Sequence, residues 1–293
     1  MSDFPETSAS MAGKTVLLTG ASSGIGMAAA TRLAAQGARV LPVGRSKDRT
    51  AEVAAAVGTV PLVTDFASLT QVEQLADWVR TNCDQLDVLV LNAGATFPRR
   101  EVTEDGHEAA FQVNHLAPFL LAMRLRELLE HSSRRGPVRV VITSAHGHMF
   151  GRLRMDDLGW EKRPWLGGWF QYNTTKLMNL MFTRELARRW PTAIEPNCFH
   201  PGVVDTQFGM RSRVWRAFHA PLHRTYLRPE QGAEPLVHLA SSPEVAGMRG
   251  VYFSKMEANA KVHPVADDQQ LAAELWDYSA KLLGIPAQQQ EVR

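Results

Sequence analysis

The sequence predicts one α/β domain, a parallel β-sheet covered by helices on both faces. Three observations predict it. Short β-branched runs alternate with Ala- and Leu-rich stretches of helical period, a glycine-rich turn joins the first run to the first helical stretch, and neither repeat nor linker divides the 293 residues. Such alternation builds parallel sheets, because a strand returning in the same direction needs a crossover, usually a helix.

The elements follow in order. Thr15-Val16-Leu17-Leu18-Thr19 is a strand, and Ile25 to Gln36 a helix that Gly37 closes. Arg39 to Val43 is the second strand, Lys47 to Val57 the second helix, Thr59 to Thr64 the third strand and Leu69 to Asn82 the third helix. Val88-Leu89-Val90-Leu91 is apolar at every position, as a parallel strand buried on both faces requires. A long helix covers Glu108 to Glu130, and Val138 to Thr143 returns as a strand. The helix Gln171 to Trp190 stops at Pro191, the strand Ile194 to Phe199 follows, and Gln269 to Leu283 is a final amphipathic helix. Two stretches lack clean periodicity. Ala145 to Gly168 predicts an inserted loop or lid, and Asp205 to Arg228, with its aromatics, Met and Arg, a mobile substrate-covering segment. The domain is expected over 13–285, between polar, frayed tails at Met1 to Ala12 and 286–293.

Composition excludes several classes. Net charge is +2 and the Lys and Arg residues are scattered, so no basic face is offered to nucleic acid. Cys83 and Cys198, far apart, supply neither a metal cluster nor a disulfide framework and read as reduced intracellular thiols. The N-terminus has neither the basic start nor the apolar core of a signal peptide. No apolar run approaches the roughly 20 residues that span a bilayer. A cytoplasmic protein without integral membrane association is expected.

The turn after the first strand, Thr19-Gly20-Ala21-Ser22-Ser23-Gly24-Ile25-Gly26, carries the first functional signal. Glycine lets the backbone approach a pyrophosphate closely, and the following helix N-terminus offers free N–H groups and partial positive charge. Gly20, Ser22, Ser23, Gly24, Ile25 and Gly26 are therefore expected to cradle a dinucleotide. The end of the second strand selects which one. An acidic residue there accepts from the ribose hydroxyls of NAD, but here Gly44 is followed by Arg45, Ser46 and Lys47. A carboxylate repels a 2′-phosphate, whereas Arg45 grips it through bidentate, charge-assisted hydrogen bonds. NADP(H) is the expected cofactor. Asp65, with Phe66 beside it, is placed to accept from the adenine amino group, and Asn92-Ala93-Gly94 to run backbone along the cofactor ribose.

Tyr172 and Lys176 lie four apart in a helical stretch and share one face. Tyrosine ordinarily titrates near pH 10, and a neighbouring ammonium favours the phenolate, so the pair is expected to lower the tyrosine toward a useful range. Ser144, at the C-terminal end of its strand, is placed to hold a carbonyl oxygen against the tyrosine, since ligands in open α/β sheets sit at those ends. Asn114, within the long helix, is placed to anchor a water linking the lysine to solvent.

These motifs resemble the short-chain dehydrogenases/reductases. The matching residues are Thr19 to Gly26, Asn92-Ala93-Gly94, Asn114, Ser144, Tyr172-Asn173-Thr174-Thr175-Lys176 and Pro201-Gly202, in family order over nearly the whole chain. Phe111-Gln112-Val113-Asn114-His115-Leu116, Asp156-Asp157-Leu158, Phe182-Thr183-Arg184-Glu185-Leu186-Ala187, His200-Pro201-Gly202-Val203-Val204 and Leu275-Trp276-Asp277-Tyr278-Ser279 are similar to the retinol-dehydrogenase-like branch, which includes relatives of the WW-domain oxidoreductase and of protochlorophyllide reductase. The resemblance implies a Rossmann-type doubly wound parallel β-sheet. It implies that Ser144 positions the carbonyl, Tyr172 is the acid/base, Lys176 binds the nicotinamide ribose and tunes the tyrosine, and Asn114 completes a proton relay. Pro201, Gly202, Val203 and Thr206 then meet the nicotinamide end, and a homodimer or homotetramer forms through the helices around Asn114 and Tyr172. Two positions depart from the pattern. Thr175 replaces a serine common in the branch but keeps the hydroxyl, and the N-terminus lacks the membrane anchor of animal retinol dehydrogenases, which predicts a soluble, bacterial-type relative.

The expected reaction is hydride transfer between nicotinamide and a carbonyl or alcohol carbon, with NADP favouring reduction. Met149, Phe150, Trp160, Trp165, Trp169, Phe208, Met210, Trp215 and Phe218 make the two aperiodic segments apolar, which predicts a medium-sized apolar or aromatic substrate touched by Ser144, His146, Tyr172 and Phe208. His146 and His148 lack partners for zinc, so no metal is expected. Two other readings are a catalytically silent NADP-sensing module, opposed by the joint presence of Asn114, Ser144, Tyr172 and Lys176, and reduction of a carbon–carbon double bond, which product identification separates.

Overall fold

Eight strands form one sheet in the order β3-β2-β1-β4-β5-β6-β7-β8 in the computed structural model, which describes residues 10–204 and 226–286. They are β1 (Thr15–Thr19), β2 (Arg39–Gly44), β3 (Leu62–Val63), β4 (Val88–Leu91), β5 (Val138–Thr143), β6 (Ile194–His200), β7 (Tyr252–Ser254) and β8 (Glu257–Ala258). Pairing is parallel throughout except for the β7–β8 hairpin. The chain winds outward from β1 to β3, then returns to place β4 on the other side of β1. That reversal opens a crevice at the carboxyl ends of β1 and β4, where open α/β sheets bind ligands.

Side-chain alternation explains why the sheet is covered twice. Leu17, Leu41, Leu89 and Ile142 join a core under α3 (Leu69–Asn82), α4 (Ala117–Ser133), α5 (Trp169–Arg189) and α7 (Gln269–Leu282). Val16, Leu18, Val40 and Val90 face the opposite core, packed by α1 (Gly24–Ala35) and α6 (Glu234–Ser241); α2 (Lys47–Ala56) adds Val53 to it. The period of two on each strand separates the two cores.

Several elements differ from their sequence-based bounds. The third strand keeps only Leu62–Val63, because Thr59 donates its backbone N–H to Ala54 at the end of α2 and Pro61 has no N–H to give. The long helix is not uniform: an α-turn, Ala109–Phe111, passes through a π-helical turn, Gln112–Leu116, into α4. Helix α6 and strands β7 and β8 were not foreseen. The N-terminal tail ends before Ala12, since Met11 is buried and donates its N–H to the Gln36 carbonyl at 2.8 Å.

Residues 145–168 are a cross-linked wall rather than a loose loop. They hold three 3₁₀ turns, His146–Phe150, Met155–Asp157 and Leu166–Gly168. Asp157, buried, pairs with Arg163 at 2.7 Å, and the Arg163 guanidinium lies 3.5 Å over the Trp160 ring. Burial alone would raise the Asp157 carboxyl, but Arg163 and the N–H groups of Glu161 and Lys162 outweigh it and hold the group below the usual carboxylate range. The wall is tied outward through Trp165 Nε1 to the Phe97 carbonyl at 3.1 Å and through Gln171 Nε2 to the Leu158 carbonyl at 2.9 Å. Trp160 is itself core, so it is withdrawn from the aromatic surface expected to face a substrate. Of the predicted covering segment, residues 205–225, and with them Thr206 and Phe208, lie outside the described residues.

Helix α7 packs on α5 and touches the start of α4. Trp276 fills the space between Phe119 and Phe182, at ring distances of 4.8 and 5.8 Å, and Ser279 Oγ meets His115 Nε2 at 2.9 Å. Residues 117–123 of α4 and 173–183 of α5 are all buried within the single chain. Other positions of the two helices, among them Glu127, His131 and Arg188, stay exposed.

Candidate active site

Thr19 is the knot at the crevice. Its Oγ1 donates to the Val90 carbonyl at 3.0 Å and accepts the N–H groups of Asn92 and Ala93 at 2.9 and 3.0 Å. Asn92 Nδ2 returns a bond to the Thr19 carbonyl at 3.0 Å, and Asn92 Oδ1 accepts from Thr143 Oγ1 at 3.0 Å. Three strand ends are locked by one threonine and one asparagine, the threonine of the Gly-rich motif not having been assigned any role from sequence.

The glycines of the turn are required by contact. Gly20 sits at φ +70°, and a Cβ there would lie 2.9 Å from the Ala93 Cα; a Cβ on Gly26 would lie 2.2 Å from the Gly20 carbonyl oxygen. Helix α1 is therefore pressed against the turn, as only glycine permits. Ser23 precedes α1 in extended conformation and makes no side-chain cap, leaving the first N–H groups of the helix to a ligand. Ser22, Gly24 and Ile25 complete this surface and are partly accessible. A bare backbone cradle at an uncapped helix N-terminus fits a dinucleotide pyrophosphate.

At the end of β2, a Cβ on Gly44 would lie 2.5 Å from Thr50 Oγ1 and 2.7 Å from Ser22 Cβ. No acidic side chain fits at Gly44. Arg45 follows, exposed and without hydrogen bond or ion pair among the described residues. Ser46 N-caps α2 in geometry, its carbonyl accepting Thr50 Oγ1 at 2.6 Å. Asp65 Oδ1 accepts the Ala67 N–H at 3.0 Å, which fixes the loop beyond β3. The Phe66 side chain belongs to the core, so it cannot lie on an adenine and offers a ligand its backbone alone. Beyond β6, Pro201 is buried, Gly202 takes φ +92°, and the Val203 carbonyl accepts from Leu227 at 2.9 Å while its side chain stays exposed.

The side chains expected to react converge from three elements. Lys176 is buried on α5 and donates from Nζ to the Thr143 carbonyl at 3.0 Å, 5.6 Å from the Tyr172 ring centre. A Cβ on Gly94 would lie 3.2 Å from Asn114 Oδ1 and 3.4 Å from Lys176 Nζ, so these two groups flank the same point of the β4 loop. Ser144, buried at the end of β5, donates from Oγ to the Lys176 carbonyl at 2.8 Å. Asn114 lies in the π-turn. It accepts from the Ala95 N–H at 2.7 Å and donates to the Ala95 carbonyl at 2.9 Å and to Thr175 Oγ1 at 3.1 Å. Thr175 in turn donates to the Tyr172 carbonyl at 2.7 Å. The residue that departs from the branch pattern thus links Asn114 to the turn that carries Tyr172.

Charge follows burial rather than spacing. Burial pushes Lys176 down to about 8. Burial also pushes the Tyr172 phenol up, against the expectation that its lysine neighbour would lower it. The reason is geometric: the ammonium is bonded to the Thr143 carbonyl, and desolvation disfavours the charged form of both groups.

A second connection was also missed. Glu108, buried, accepts from the N–H groups of Ala110 and Phe111 at 2.7 and 2.9 Å and from Gln171 Nε2 at 2.6 Å. It fastens the helix start before Asn114 to the residue preceding Tyr172, and burial raises its carboxyl in spite of these donors. Its legible signal was an acidic residue at a helix start. His146 is exposed beside Ser144, whereas His148 is buried, with Nδ1 2.7 Å from the Ala145 carbonyl. Among the described residues, no group of three or more His, Cys, Asp or Glu is arranged to hold a metal, and no helix is long and apolar enough to cross a membrane.

Comparison with known proteins gives consistent likenesses. The family model for short chain dehydrogenase matches residues 14–155. A protein of Streptomyces sp. (strain C5) named "Putative daunorubicin C-13 ketoreductase DnrU" is 41% identical over 279 residues, covering 93% of each chain. Retinol dehydrogenase 14 of Homo sapiens is 37% identical over 306 residues, covering 94% of this chain and 88% of that one. A solved structure titled as a putative uncharacterized protein from Mycobacterium paratuberculosis superposes with a TM-score of 0.75 at 27% identity, covering 95% of this chain and 96% of its own.

Proposed function

The chain belongs to the short-chain dehydrogenase family, in its retinol-dehydrogenase-like branch, and on that premise we propose that it is an NADP(H)-dependent oxidoreductase using Tyr172 as the acid/base. One observation carries the reading: Asn114 Oδ1 and Lys176 Nζ flank Gly94 within 3.4 Å of one point, in the crevice where the Gly20–Gly26 cradle ends. When bound, the nicotinamide supplies or takes the hydride. Every other part of the work falls to this chain.

The cradle and the uncapped start of α1 hold the pyrophosphate, Arg45 the 2′-phosphate, and Lys176 the ribose. Ser144 turns its hydroxyl from the Lys176 carbonyl toward the substrate oxygen and stabilises charge developing there. Tyr172 is a neutral phenol at neutral pH, the state that donates a proton to an alkoxide. Lys176, Thr175 and Asn114 hold the turn of α5 that carries it. Reduction of a carbonyl is the direction that an NADPH pool kept reduced drives.

The substrate is a medium-sized ketone or alcohol with apolar or aromatic character. Phe150, Leu166 and Trp169 remain exposed on the wall and at the start of α5, which supports this class. The relative's name, a ketoreductase of daunorubicin, agrees with it. Tyr172→Phe tests the reading. With NADPH and an accepted ketone, the variant should lose turnover while binding NADPH in a fluorescence titration; wild-type-like turnover refutes the assignment.

A further inference from the structure

Polar rings gather on one side of Ser144 without a role in the reaction described above. β5 and β6 are parallel neighbours in the register Thr143↔Phe199, and the Ser144 N–H donates to the Phe199 carbonyl at 2.8 Å. Ser144 and His200 are therefore the next pair along. Ile142 and Cys198, two residues earlier, face the α5 core, so strand alternation places Ser144 and His200 on that same face. Adjacent strands are about 4.8 Å apart. His200 thus stands beside the serine that receives the reacting oxygen, on the side away from the dinucleotide crevice.

Its surroundings are unusual. The His200 ring is 5.9 Å from His146, which is 6.5 Å from His148, which is 4.7 Å from Tyr252. His148 directs Nδ1 at the Ala145 carbonyl, so that nitrogen carries the proton and Nε2 is an acceptor. His148 Nε2, His200 Nδ1 and the Tyr252 hydroxyl are all buried without a hydrogen-bond partner. Of the three, His200 Nδ1 belongs to the residue next to Ser144 across the strand pair, and it is the one placed to take a ligand oxygen. Burial first, then His146, His148 and Lys255, lowers the His200 ring to about 4, so at neutral pH it is an uncharged imidazole able to donate from one nitrogen and accept at the other.

We propose that His200 is a substrate-binding, specificity-determining residue that takes a second oxygen of the substrate, a hydroxyl or keto group one or two carbons from the reacting carbon. The proposal rests on the carbonyl reductase reading and names the substrate class within it. Ser144 and His200, about one strand spacing apart at their bases, reach two oxygens on neighbouring or next-but-one carbons. A plain ketone fills one position and leaves the other unanswered.

The test compares 2-hydroxyacetophenone with acetophenone by NADPH oxidation in the wild-type protein, in His200→Phe and in His200→Gln. The readout is the ratio of kcat/KM for the two ketones within one preparation, which cancels any loss of folded protein. The wild type should prefer the hydroxyketone at least tenfold. His200→Phe, which keeps a ring but no hydrogen bond, should bring the ratio down tenfold or more, and His200→Gln should recover part of it. A ratio near one in the wild type, or one unchanged in His200→Phe, overturns the assignment and leaves the reductase reading standing. NADPH oxidation with neither ketone counts against both.

Discussion

Arg45 is the residue proposed to choose the nucleotide, and its removal gives a measurable number. The side chain is exposed and bonded to nothing among the described residues, so Arg45→Ala orphans no buried group and should leave stability within about 0.5 kcal/mol. What it removes is a charge-assisted contact to a 2′-phosphate, for which about 1.5–3 kcal/mol is typical. At about 1.4 kcal/mol per decade, that is a tenfold to roughly 150-fold weakening of NADPH. Lys47, exposed at the first turn of α2, stays close enough to supply part of the charge, so the single variant should fall near the lower end. Arg45→Asp adds repulsion and should go further. NADH, lacking the phosphate, should change little with Arg45→Ala. The assay is fluorescence titration of both nucleotides at low and at moderate salt, since an exposed contact is screened. An unchanged ratio of NADPH to NADH affinity refutes the assignment. Gly44→Asp offers no shortcut to NAD use, because its Cβ would meet Thr50 Oγ1 at 2.5 Å and the turn must open.

Three further outcomes are expected. Thr175→Val removes one of the two acceptors of Asn114 Nδ2 and should cost about 1–3 kcal/mol, whereas Thr175→Ser keeps both bonds of the hydroxyl; thermal melts that do not distinguish the two variants refute the link. Burial holds His115 at about 3, with Asn179 opposing, and His200 at about 4, while an unfolded histidine takes a proton near 6.5. Below pH 6.5 protons therefore bind the unfolded chain first, so stability present at pH 7 is lost as pH falls, by about 1.4 kcal/mol per pH unit for His115 and less for the partly exposed His200. Urea midpoints equal at pH 7 and pH 5 would contradict this. Light scattering should give two or four times the mass of one chain, 32.5 kDa, through the helices around Asn114 and Tyr172; the mass of a single chain refutes that assembly.

The parts of the fold legible in the sequence were those with a period long enough to read. β1, β4 and β5 were set by runs of four or more β-branched and aliphatic residues, β2 and β6 by their place between helical stretches, and α1, α3 and α5 by helical spacing. Strands of two and three residues, β8 and β7, fall below any such window. The π-turn was invisible for a different reason: Gln112–Leu116 has the composition of an α-helix, and only the bonding pattern sets Asn114 apart. Residues 145–168 looked formless because their order comes from single contacts, Arg163 with Asp157 and Trp160, rather than from periodicity. The candidate site was legible as residue types in order, since Gly20, Asn92, Ser144, Tyr172 and Lys176 announce themselves. Thr19, Thr175 and Glu108 did not, because a threonine or glutamate acquires meaning only from what it touches.

The sharpest divergence concerns charge. A spacing of four residues says that Tyr172 and Lys176 share a helix face; it says nothing of how much water either keeps. Both are desolvated, and desolvation drives an acid up and a base down, so the pair is biased toward its two neutral forms. With Lys176 at about 8, it still carries its proton at neutral pH, but it spends that proton on the Thr143 carbonyl. Tyr172 consequently rests as a phenol. The same burial that defeats the simple lysine-lowers-tyrosine argument leaves the direction of reaction to the supply of nucleotide and substrate, because a catalyst lowers the barrier equally both ways.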